Sequence, residues 1–93
     1  MFIKLNKISR HTDGSFYLSE VRINASHILF ISENQEMHKS LREGKIQIGL
    51  SSMARFSDIS LASASGKETI TVVGPPDVVE SKINISNKQL LRG

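Results

Sequence analysis

Apolar and polar residues alternate along most of the chain, and the period changes clearly in only two places. Met1, Ile3 and Leu5 alternate with Phe2, Lys4 and Asn6, the period of two that marks a half-buried strand, and the pattern runs on to Ile8. Asp13-Gly14 is a strong hairpin signal. It predicts a return strand through Phe16-Tyr17-Leu18 and Val21-Arg22-Ile23. Ile28-Leu29-Phe30-Ile31 is apolar without a break, as in a strand covered on both faces, with a C-terminal helix or a second subunit as one cover. Lys45 to Ser51 alternates again, with Ile46, Ile48 and Leu50 on one face and Gly49 marking a bulge or a close backbone approach. Met53 and Phe56 are placed to cap the core from a turn.

The clearest unit runs from Asp58 to Ile83. Two alternating runs, Asp58–Ala62 and Glu68–Val73, flank Ser63-Ala64-Ser65-Gly66-Lys67 and predict a hairpin with a longer loop containing glycine. Pro76 suits a first helical turn, where its missing N–H costs nothing, and Asp77 then lies near the positive end of the helix dipole. Val79 and Ile83, four apart, share the face that would lie on the hairpin. The other helical period follows Ser32, which with Gln35 fits a capping box. Glu36, Lys39 and Glu43 are spaced to pair along the surface, Met37 and Leu41 give a narrow apolar stripe, and Gly44 is placed to stop the helix. An irregular excursion is the alternative over the same residues.

These elements predict an α+β fold, mostly β: a small antiparallel sheet of five to six strands, a mid-chain helix and a short C-terminal helix from about Pro76 to Ile83. Residues 1–84 read as one domain, with 33–56 as an insertion and 85–93 as a flexible tail whose Leu90-Leu91 could dock on a partner. A chain of 93 residues buries a marginal core, so a homo-oligomer is the natural expectation. No run approaches the roughly 18 apolar residues of a membrane span. The alternating start with Lys4 is unlike a signal peptide, so a cytoplasmic protein is expected. The absence of cysteine excludes disulfides, thiolate metal sites and thiol catalysis.

The net charge of +3 is small, but it is unevenly placed. Lys4, Lys7, Arg10 and Arg22 outnumber Asp13 and Glu20 in the first hairpin, and Lys82, Lys88 and Arg92 follow Glu80 with no acid. Lys4, Lys7, Arg10 and Arg22 are therefore the candidate contacts for RNA or DNA, with Phe2, Phe16 or Tyr17 available to stack on a base. Against this stand the low aromatic content of 5% and the reading of Phe2, Phe16 and Phe30 as core or interface positions.

Catalytic constellations are missing. His11, His27 and His38 have no metal-ligand spacing, no Gly-x-Ser-x-Gly elbow exposes a serine, and the carboxylates fall on helix surfaces or at strand ends. No catalytic residue, metal or cofactor is predicted, and the chain reads as a non-enzyme. Gly66-Lys67-Glu68-Thr69 resembles a phosphate loop superficially, but Leu61 stands where its first glycine should be and Glu68 where a hydroxyl should hold magnesium. Ser63, Ser65, Gly66 and Lys67 still offer hydroxyls, N–H groups and a cation to a small anionic ligand. An exposed hairpin turn is the plainer reading of the same four residues.

The order Ile3-Lys4-Leu5, Ile23-Asn24 with Ile28 and Ile31, then Ile59, Leu61, Gly66, Ile70 and Val72, and finally Pro76-Asp77-Val78-Val79 with Ile83, resembles flagellar FlbD-like proteins and related short phage and bacterial open reading frames. It departs from them in residues 33–56 and in Pro75, which replaces the usual Ser or Thr cap. The resemblance implies a small β-rich module without known catalysis. A phage-like origin implies a host-directed role, as an inhibitor of a host protein or a sequestering protein for a small anionic ligand. The leading expectation is thus a non-enzymatic, homo-oligomeric binding or regulatory module, with nucleic-acid binding through the first hairpin and the tail as the alternative.

Overall fold

The computed structural model describes the backbone of residues 1–92 and the side chains of residues 1–85. The chain runs β1 (Phe2–Arg10), β2 (Phe16–Asn24), a 3₁₀ turn (Ala25–His27), β3 (Ile28–Glu33), α1 (Gln35–Arg42), β4 (Phe56–Ser63), β5 (Gly66–Val73) and α2 (Pro76–Arg92). Among the described residues the five strands form one antiparallel sheet in the order β2-β1-β5-β4-β3, the α+β, mostly β architecture expected from the alternation.

This sheet cannot be flat. Its edge strands, β2 and β3, would then stand about 19 Å apart at ~4.8 Å per strand. The three residues joining Asn24 to Ile28 allow at most about 14 Å. The sheet therefore coils until the end of β2 approaches the start of β3. The join between β1 and β5 is correspondingly short, with only Lys7↔Val72 and Ile8↔Thr71 in register.

The coil gives the sheet a concave and a convex face, each with its own core. Ile3, Leu5, Ile59, Ile70 and Val72 line the concave side with Val21, Ile23, Ile28, Ile31 and Leu61, a contribution from every strand. Helix α2 fills it. Val79 is fully buried there and Ile83 packs beside it, the pair four residues apart that the sequence marks. Burying a Val or Ile fully stabilises by about 1.5–3 kcal/mol, which fixes the helix on the sheet more firmly than propensity does. On the convex side Ile8 and the fully buried Phe56 pack against Leu41 of α1 and Ile46, with Phe16, Leu18 and Met37 around them.

Several expectations change. Helix α1 starts two residues later than the capping box implied: Asn34 is the cap, its Oδ1 accepting from the Met37 N–H at 2.9 Å, while Ser32 lies inside β3 opposite Asp58. Glu43 faces Lys45 at 3.8 Å rather than pairing along the helix. Residues Lys45 to Ser51 form no strand. Gly44 and Gly49 both take positive φ (76° and 73°), which breaks the extended run, and Ile46 packs on the face of the sheet, where no open edge exists to pair with. Strand β3 is an edge strand rather than a doubly covered one, and a bulge between Ile28 and Phe30 leaves Leu29 49% and Phe30 57% exposed. Met53 caps nothing, being exposed. The loop expected over Ser63–Lys67 is a two-residue turn, with Ser63 and Gly66 already paired. Helix α2 continues through Arg92, past the expected end at Ile83 and into the segment read as a tail, because no glycine or proline follows Pro76 until Gly93.

Candidate functional site

The basic residues of the first hairpin divide by parity. Ile3 and Leu5 point into the concave core, so Phe2, Lys4 and Asn6 point out on the convex face. Lys4 lies directly opposite Arg22, and Arg10 opposite Phe16 six residues further along, roughly 20 Å away. Lys7 falls on the other face, opposite Val72. Of the four candidate cations, Lys4 and Arg22 are brought together, Arg10 stands apart and Lys7 is turned away.

A fifth basic residue joins the pair. Lys82 reaches from α2 so that its Nζ donates to the Lys4 carbonyl at 3.1 Å. The carbonyl is open to it because β1 pairs with β5 only at Lys7 and Ile8. Phe2, Ile3, Lys4, Lys82 and Ile85 then line a shallow groove of about 270 Å³. Phe2 is 65% exposed although it shares its face of β1 with the buried Ile8, so of its reading as core or interface the core half does not hold. Like charges directly opposite in a ladder repel, and Glu20, whose Oε1 is 4.0 Å from the Lys4 Nζ, offsets this only weakly because both side chains are more than half exposed. Sequence reasoning counted Lys82 in the basic excess but did not place it beside Lys4, because its position depends on the angle at which α2 crosses the sheet.

Arg10 belongs to a second groove, of about 320 Å³, between β1 and α1. Its guanidinium lies over Phe16, 5.2 Å from the ring centre, and its Nε donates to the Gly14 carbonyl at 3.2 Å. Met37, Ile46 and Lys45 complete this wall. Arg10 is thus held locally by its own hairpin.

The turn considered for anions is engaged with itself. The Ser63 hydroxyl donates to the Gly66 carbonyl at 3.1 Å and lies 3.3 Å from the Ser65 hydroxyl, and Ser65, Gly66 and Lys67 are all exposed. The histidines are dispersed. His11 stacks on Tyr17 at 4.1 Å, His38 Nδ1 lies 2.7 Å from the Ala54 carbonyl, and His27 is exposed. Among the described residues no three His, Asp or Glu side chains gather as a metal-ligand set. Asp58 is not at a strand end as expected; it sits inside β4 and accepts from Thr71 Oγ1 (2.7 Å) and Asn34 Nδ2 (3.0 Å), a structural post. Asp13 has its carboxyl pulled below its ordinary value by the hydroxyl and then the N–H of Ser15, which belongs to the turn rather than to any proton-transfer site.

Comparison of the chain with protein-family models, curated proteins and solved structures finds no match. Among the described residues no helix is long and apolar enough to cross a membrane.

Proposed function

We propose that the protein is a non-enzymatic, homo-oligomeric binding module that takes single-stranded nucleic acid on its Phe2–Lys4–Lys82 groove. One observation carries the reading: Lys4 and Lys82 line a groove with a phenylalanine that remains mostly exposed on its strand, and Arg22 lies opposite Lys4 on the next strand. Cations that follow a phosphate backbone and an aromatic face that accepts any base are the two parts of sequence-independent strand binding. Its homo-oligomeric part draws on the open edges β2 and β3 of a small sheet.

The test is fluorescence anisotropy of a labelled oligothymidylate titrated with the protein at several salt concentrations. Affinity is expected to fall steeply with salt, and Lys4→Gln and Lys82→Gln each to reduce the log–log slope by about 0.7. Absence of binding at low salt overturns the reading.

An inhibitor of a host protein is the second reading, favoured by Leu29 and Phe30, which stand exposed together on the β3 edge. The small-anion alternative at Ser63–Lys67 draws less support, since that turn satisfies its own hydroxyls.

A further inference from the structure

We propose that the outer edge of β2 is the self-association surface of this protein, receiving β2 of a second copy antiparallel about Val21. The proposal rests on the homo-oligomeric part of the reading above and supplies its interface.

The two sheet edges differ in fitness for pairing. Strand β2 is held in unbroken register with β1 from Phe2↔Asn24 to Arg10↔Phe16. It has no neighbour on its other side among the described residues, so alternate residues turn regular N–H and C=O groups outward. Strand β3 is shorter and bulged between Ile28 and Phe30. A bulge interrupts the row of outward groups that pairing needs.

Charge selects a second copy as the occupant. A two-fold axis through Val21 sets Glu20 of each copy opposite Arg22 of the other, so the ion pair forms twice. The same axis sets Val21 against Val21, and Ser19 against Ile23. Neighbouring registers fail. An axis through Glu20 or through Arg22 opposes like charges, and one through Ser19 leaves Glu20 against Leu18. The edge is therefore self-complementary in one register, which is how a sheet edge specifies its partner. The monomer leaves a need that this pairing meets. Arg22 faces the like charge of Lys4 and has no ion pair among the described residues, and the second copy supplies Glu20 on its open side.

Light scattering of the full chain over a concentration series tests this, with far-UV circular dichroism as the control for folding. The wild type is expected at twice the 10.3 kDa chain mass. Glu20→Arg and Arg22→Glu alone oppose like charges twice and are expected to weaken self-association about tenfold or more. An equimolar mixture of the two variants restores opposite charges in both pairs and is expected to recover the dimer. A wild type that stays monomeric overturns both this interface and the homo-oligomeric reading. Variants that stay dimeric overturn the β2 interface alone, as does a mixture of monomeric variants that fails to recover.

Discussion

Arg55 grips Glu33 with both prongs of its guanidinium, Nε to Oε2 at 2.8 Å and Nη2 to Oε1 at 2.7 Å, across 22 residues of sequence. The pair closes the base of the 33–56 excursion, and its neighbours reinforce the closure: the Asn34 N–H donates to the Phe56 carbonyl at 2.9 Å and the Gly74 N–H to the Arg55 carbonyl at 2.7 Å. The excursion is thereby bound to β3, β4 and the link from β5 to α2 together. It covers the convex core as a fixed lid rather than hanging from the sheet.

This pair carries a pH signature. Hydrogen bonds from Arg55 hold the Glu33 carboxyl below its ordinary 4.5, outweighing its partial desolvation. A folded value below the unfolded one gives stability that is complete above about pH 4.5 and is lost as pH falls through the lower folded value. Urea denaturation of the wild type and of Glu33→Gln is expected to show a gap at pH 7 that narrows as pH falls below about 4.5. Asp13, shifted the same way, is present in both proteins and cancels in the difference. A gap independent of pH would remove the ion pair as its cause.

The lid is held down by packing as well as by charge. Phe56 is fully buried between the sheet and the excursion, so Phe56→Ala is expected to cost about 3–5 kcal/mol and to lower the urea midpoint accordingly. Met53→Ala, in the same excursion but 72% exposed, is expected to change stability by less than about 0.5 kcal/mol.

Period-two alternation made β1, β2, β4 and β5 legible, and Pro76 with Val79 and Ile83 placed α2 on the sheet. These signals are local, and each element buries the face its pattern marks. The same rule misread Lys45–Ser51, because alternation records which side is apolar and not whether a partner edge is available; Ile46 buried its side in a coil. Ile28–Ile31 was misread for the opposite reason. Its unbroken apolar run looked doubly covered, yet the order of strands, which no local pattern encodes, set it at an edge. The basic patch was half legible: Lys4 and Arg22 lie on paired strands of one hairpin, whereas Lys82 arrives from 78 residues away through the crossing of α2 over β1.

Gly44 is expected to be the least replaceable residue at the surface of the lid. It takes φ of 76° after α1, its N–H donating to the Leu41 carbonyl at 3.1 Å while the Lys45 N–H reaches Ser40 at 2.9 Å, so the last turn of the helix is closed twice. A Cβ there would meet nothing within 4 Å. The cost of Gly44→Ala is therefore conformational, about 1–2 kcal/mol by thermal denaturation, and Gly44→Asn is expected to recover part of it.

Phe2→Ala separates stacking from charge in the proposed strand interface. Because Phe2 is 65% exposed, its loss is expected to leave the melting temperature nearly unchanged. Base stacking is worth about 1–3 kcal/mol, so affinity for oligothymidylate is expected to fall roughly 5- to 150-fold. The salt dependence should stay that of the wild type, since no phosphate contact is removed, whereas Lys4→Gln lowers the slope at a smaller loss of affinity. Anisotropy titrations at three salt concentrations read both quantities. Equal slopes for Lys4→Gln and wild type, or unchanged affinity of Phe2→Ala, would move the nucleic acid off this groove.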